Sequence, residues 1–169
     1  MARLFKTSED IYEFITNEWE NTSASRIGVI LKVISTPKAK QIFKLSKASA
    51  TTEYLLREQD VITLTVYEEA FDRLSDLYKT LLVKGVFSVV SYDDEKERII
   101  IDNRPYSDLF NMRHAKDANG NEYGDNYDNA IETASLVISQ IEDEERERKE
   151  QEKAEKAEKR AAKKAAKNS

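Results

Sequence analysis

Residues 61–103 read VITLTVYEEAFDRLSDLYKTLLVKGVFSVVSYDDEKERIIIDN. The first seven, Val61–Tyr67, are rich in β-branched side chains and alternate at a period of two, which predicts a strand. Glu68–Asp72 suits a short helical turn, and Ser75 then stands as an N-cap before a helical run from about Asp76. Asp93–Lys96 is turn-like, and Glu97–Asn103 returns to β-branched residues and predicts a second strand. Strands mixed with helices, without a regular strand–helix alternation, place the chain in the α+β class rather than among doubly wound sheets.

Upstream, Thr7 and Ser8 precede a helix with apolar residues at Ile11, Phe14, Ile15 and Trp19, and with Glu9 and Asp10 in its first turn. A largely buried strand is expected over about Arg26–Ile34. Thr36 followed by Pro37 is a strong helix-start signal, so the stretch carrying Ile42, Phe43 and Leu45 is expected to be helical. Residues 46–60 are polar and read as a loop with a short turn. Downstream, Ser107–Lys116 suggests a short helix, and Asp117–Asn129 is a loop holding half of the four glycines. A long helix is expected from about Asp128, with Ile131, Ala134, Ile138 and Ile141 forming a docking stripe beside Val137. After Ile141 every apolar residue is alanine.

The expected organisation is an α+β body over residues 1–127, with a small mixed sheet and packed helices. A charged helix over 128–169 follows, docked at first, then solvent-exposed and fraying near its end. The roughly 140 residues that precede the charged stretch from Glu142 are enough to bury about two-thirds of their unfolded surface.

Composition narrows the chemistry. There is no cysteine, which excludes disulfides, thiol catalysis and thiolate metal sites. No stretch approaches the roughly 20 apolar residues of a membrane span, and the N-terminus lacks a signal-peptide pattern. A cytoplasmic protein without membrane contact is expected. His114 is the only histidine and sits at a polar helix end, where a surface role suits it. A two-histidine zinc helix is impossible, and no glycine-rich phosphate loop is present. No cofactor is predicted.

One loop has cation-site spacing. Asp117, Asn119, Asn121 and Asp128 occupy the first, third, fifth and twelfth positions of an EF-hand-like frame. Glu122 stands where that frame needs glycine, and aspartate replaces the bidentate glutamate at the last position. An Asn-Gly turn in a hydrated loop accounts for the same residues. Tyr123 and Tyr127 in this loop either pack it against the body or offer stacking surfaces.

The succession of strand, Phe71-Asp72-x-Leu74, helix, acidic turn and short strand over residues 61–103 resembles the middle of the small zincin-like metallopeptidases of tailed bacteriophages. In that family the helix carries a histidine–glutamate–x–x–histidine motif that binds zinc and supplies a general base. The matching frame here is Lys84, Gly85, Val86, Phe87 and Ser88, with no ligand or base at the functional positions. The resemblance therefore implies a relative without the metal site, and the peptidase activity does not carry over.

The net charge of −5 conceals an asymmetry. Residues 1–141 sum to −6, Glu142–Glu152 to −4 and Lys153–Ser169 to +5. In the tail, Glu142–Arg146, Glu144–Arg148, Glu145–Lys149, Glu152–Lys156 and Glu155–Lys159 are spaced i,i+4 with the acid first, the favourable order for a helix. Beyond Glu158 the acids run out. Lys156, Lys159, Arg160, Lys163, Lys164 and Lys167 then form a basic end suited to phosphate contacts. The expectation is a non-enzymatic, phage-type accessory protein that binds nucleic acid, or a protein of nucleic-acid machinery, through this helix. The alternative is a divergent zincin-like hydrolase that has lost its zinc motif.

Overall fold

The computed structural model describes residues 5–49, 60–102 and 110–167. It is an α+β fold built on strand β4, Val61–Tyr67, which is paired along both edges. Strand β2, Ile30–Thr36, runs parallel to it, and β3, Phe43–Lys47, runs antiparallel on the other side. The two-residue strand β1, Phe5–Lys6, closes on β2, giving the order β1-β2-β4-β3. A central strand loses no backbone hydrogen bond to solvent. Val61, Ile62, Leu64, Val66 and Tyr67 are accordingly buried.

Register assigns the two faces. Ile62, Leu64 and Val66 line up with Leu31, Val33 and Ser35 of β2 and with Phe43 and Leu45 of β3, forming the apolar face. Helix α1, Glu9–Glu20, contributes Ile11, Ile15 and Trp19 to the core over this face. Helices α2, Ser23–Arg26, and α3, Glu68–Asp72, are single turns. Helix α4, Asp76–Ser88, contributes Leu81, Leu82, Val83, Val86 and Phe87. Edge-on aromatic pairs tie the helices together, with Trp19 on Phe87 at 5.0 Å and Phe14 on Phe71 at 5.9 Å between centroids. A hairpin of β5, Val90–Asp93, and β6, Arg98–Ile101, follows α4. Asp93 Oδ1 accepts the Glu95 and Lys96 N–H groups and closes its turn. Helix α5, Phe110–Arg113, and the 43-residue helix α6, Asp125–Lys167, complete the fold.

Ser75 caps α4 as expected, accepting from the Tyr78 N–H. The helix expected after Thr36-Pro37 does not form. Strand β2 continues through Thr36, and Phe43–Lys47 is the edge strand β3. Phe43 and Leu45 alternate with Lys44 and Ser46, and an open edge of β4 recruits that period-two pattern. The Thr36 hydroxyl donates to the Lys38 carbonyl rather than capping a helix. Strand β2 also begins at Ile30 rather than Arg26, because Thr22 accepts from the Ser25 N–H and winds Ser23–Arg26 into a turn. Gly28, at φ +90°, then redirects the chain. The expected long helix starts three residues early, at Asp125. The loop expected over 46–60, the last residue of the strand ending at Asn103 and the start of the helix over 107–116 fall partly or wholly outside the described residues.

Candidate functional site

Helix α6 is a mount followed by a rod. Tyr127, Ala130, Ala134, Val137, Ile138 and Ile141 are buried against the body, so the expected docking stripe is real and reaches one turn further back. Ile131 is half-buried beside them. Gly85 in α4 gives Tyr127 its seat: a Cβ at Gly85 would lie 2.9 Å from Tyr127 Cε2. The sequence alone suggests helix–strand packing as the reason for this glycine, but the close approach is between two helices.

Above the apolar stripe an ionic collar takes over. Arg73 donates from Nη1 and Nη2 to the two Glu144 oxygens at 2.9 and 2.8 Å, and also reaches Glu69 at 3.0 Å. Lys38 meets Glu145 at 3.3 Å. The hydrogen bond from Arg73 holds the Glu144 carboxyl below its ordinary range, and that from Lys38 does the same to Glu145. These carboxylates therefore act as anchors to the body. Glu145 also keeps its expected helical partner Lys149 at 3.6 Å. Arg146 turns to Asp143 at 3.2 Å, whereas Glu152–Lys156 and Glu155–Lys159 form as the spacing predicts, at 3.8 and 3.9 Å.

From Arg146 onward every described side chain is exposed. The 22 residues to Lys167 extend roughly 33 Å as helix. Lys156, Lys159, Arg160 and Lys163 are exposed on it, and Lys164 and Lys167 belong to its last helical turns. Positions 156, 160, 163 and 167 fall on one stripe of a 3.6-residue helix.

The loop at Asp117 is organised by its own hydrogen bonds. Asp117 Oδ1 accepts from the Asn119 and Asn121 N–H groups at 2.8 and 2.9 Å, with the Asn121 amide on Oδ2 at 3.5 Å. The Asn121 N–H bond leads in lowering the carboxyl pKa. Asp128 lies in α6 and is clasped by Arg113, with contacts of 2.7 and 3.2 Å. The structure thus gives Asp117 and Asp128 separate partners. Among the described residues, no group of three His, Asp or Glu side chains could hold a metal ion. His114 Nδ1 is 3.5 Å from Glu122 Oε2, both largely exposed.

The Lys84–Ser88 frame forms the last turns of α4. Gly85, Val86 and Phe87 are buried there, and Ser88 Oγ donates to the Gly85 carbonyl at 2.7 Å. Lys84 donates to the Tyr123 hydroxyl at 3.3 Å and sits 5.8 Å over its ring. Tyr123 and Tyr127 therefore serve packing.

A second charged surface escaped the sequence reading. Residues 21–52 carry Arg26, Lys32, Lys38, Lys40, Lys44 and Lys47 and no acid. Register places Lys32 and Lys44 on the sheet face opposite the helices, and Lys38, Lys44 and Lys47 line a groove of about 520 Å³ there. The acid-free run was visible in the sequence, but the acidic average of the body concealed it. No helix of the described residues is long and apolar enough to cross a membrane. Compared with known proteins, the chain matches no family model, no curated protein and no solved structure.

Proposed function

We propose that the protein is a non-enzymatic binding module that presents a basic-ended helical rod to nucleic acid. The observation that supports this is the change in α6 from a helix buried along one side to one exposed on all sides. A buried stripe and an ionic collar together hold the base of an element with no buried side chain among the described residues beyond Glu145. Such a mount sets the direction of the rod, which matters to something that the rod meets. The rod offers alanine as its only apolar residue, which is too little for a strong coiled-coil seam or a membrane-buried face. Its terminal cations suit the phosphate backbone, which needs charge and donors but no shaped pocket.

The test is binding of a fluorescent oligonucleotide to the full chain as salt is varied. Replacing Lys156, Lys159, Arg160, Lys163, Lys164 and Lys167 with glutamine should weaken binding and flatten the slope of log K against log salt by roughly 4 to 5. An unchanged affinity and slope would remove the rod from the account.

A further inference from the structure

The open face of the four-stranded sheet is the strongest unassigned feature of the body. Its composition follows from register. Lys6 pairs with Ile34, Ile34 with Thr65, and Thr65 with Lys44, so these four side chains form one row across all four strands. Two residues along, Lys32, Thr63 and Ser46 form a second row. Lys38 and Lys47 border the groove that these rows floor. Neighbouring strands lie about 4.8 Å apart and the rows about 6.7 Å apart. The result is a grid of ammonium and hydroxyl donors.

Charge segregation is the second observation. Residues 21–52 are +6, whereas the remainder of residues 1–141 is −12. Among the described residues, no carboxylate lies within 4.0 Å of Lys6, Lys40, Lys44 or Lys47. Lys38 differs, because Glu145 at the root of the rod neutralises it. Gathering like charges on one face raises their mutual repulsion, and a polyanion laid across them relieves it.

The chemistry of the face selects among polyanions. Its described residues include three half-buried aliphatic side chains, Ile34, Ala39 and Ala48, and no exposed aromatic. A protein partner would find no apolar anchor of the kind that dominates interface energetics. A phosphate backbone needs none, since lysine and hydroxyl donors suffice for it. Without an aromatic there is no platform for stacking bases, and lysine and hydroxyl donors to phosphate carry no sequence information.

We propose that this sheet face is a second, sequence-blind binding surface for the phosphate backbone of nucleic acid. It lies on the body and does not depend on the reading of the rod.

The experiment uses full-length protein carrying Lys6→Gln, Lys44→Gln and Lys47→Gln, with labelled duplex and single-stranded oligonucleotides of unrelated sequences. All three lysines are exposed, and each substitution keeps the stem. The triple variant should bind every oligonucleotide more weakly, with a salt slope shallower by about 2 to 3. The rod-neutralised chain should retain the contribution of the face, so the two surfaces fail separately. Amine acetylation of the wild-type protein adds a readout free of substitution: oligonucleotide should protect Lys44 and Lys47. Lysine-to-arginine replacement at the same three positions should restore binding. Unchanged slope and unprotected lysines would overturn the proposal. So would an acidic peptide of equal charge that protects these lysines while the oligonucleotides do not.

Discussion

Gly85 of α4 lies directly against the ring of Tyr127 of α6, and a Cβ at that glycine would stand 2.9 Å from Cε2 and 3.0 Å from Cζ. A glycine in a helix interior costs about 1 kcal/mol relative to alanine, so Gly85→Ala would be stabilising if space allowed. Space does not allow it, because the Tyr127 ring is itself fully buried. Overpacking costs about 1–3 kcal/mol and should outweigh the gain. Gly85→Ala should therefore lower the unfolding free energy in a denaturant titration. Tyr127→Phe removes the nearest atom, so the double variant should recover part of the loss. Additive losses would mean that the two residues do not compete for this space.

How far the sequence discloses this arrangement depends on range. Val61–Tyr67, the Ser75-capped helix and the 131–141 stripe were legible because period and capping are local. Thr36-Pro37 was equally local in its signal and misled, since the vacant edge of β4 decides the fate of Phe43–Lys47. The helix cost of Gly85 was visible, but its partner lies 42 residues away. Glu144 looked like a partner for Arg148, whereas Arg73, 71 residues back in the chain, claims it. The basic face was hidden for a different reason. Averaging charge over the body erased the acid-free run from which the face is built.

The ionic collar predicts a pH dependence of rod orientation. Glu144 and Glu145 titrate below their ordinary 4.5, through Arg73 and Lys38 respectively. A depressed folded-state pKa means that the contact contributes fully above the unfolded value and is lost as pH falls through the folded one. Because the chain has no cysteine, spin labels at Asp94→Cys and Gln151→Cys report the distance between body and rod. That distribution should be narrow at neutral pH and broaden reversibly in acid, as pH falls through the lowered values of the two carboxyls. Arg73→Gln should broaden it already at neutral pH. A distribution equally narrow in acid would assign the mount to the apolar stripe alone.

Calcium should leave the protein unchanged. Asp117 already accepts its own loop N–H groups, and Asp128 is held by Arg113 at 2.7 Å. A cation would have to break both sets of contacts before gathering the two carboxylates. A ligand at a hundred times its Kd adds about 2.7 kcal/mol to stability, which a thermal melt resolves easily. Melts with millimolar calcium and with chelator should superimpose. A calcium-dependent rise in Tm, lost in Asp117→Asn, would establish a cation site in this loop.

The rod should be separable from the body by a single break. Ala157 lies in the exposed half of α6, where no described side chain is buried. Proline there removes a backbone donor and clashes with the preceding turn, at a local cost of about 3 kcal/mol. The last dozen residues then lose the pairing that propagates helix from the mount, and a short isolated segment is marginal in water. Ala157→Pro should reduce the ellipticity at 222 nm by roughly that many residues while leaving the Tm of the body unchanged. Ala157→Gly should act in the same direction and more weakly. The oligonucleotide salt slope should persist in both variants, because the cations remain, whereas affinity should fall in Ala157→Pro if a preformed rod is what the partner meets. A fall in Tm of several degrees would show instead that the distal helix supports the body, contrary to a rod fixed only at its base.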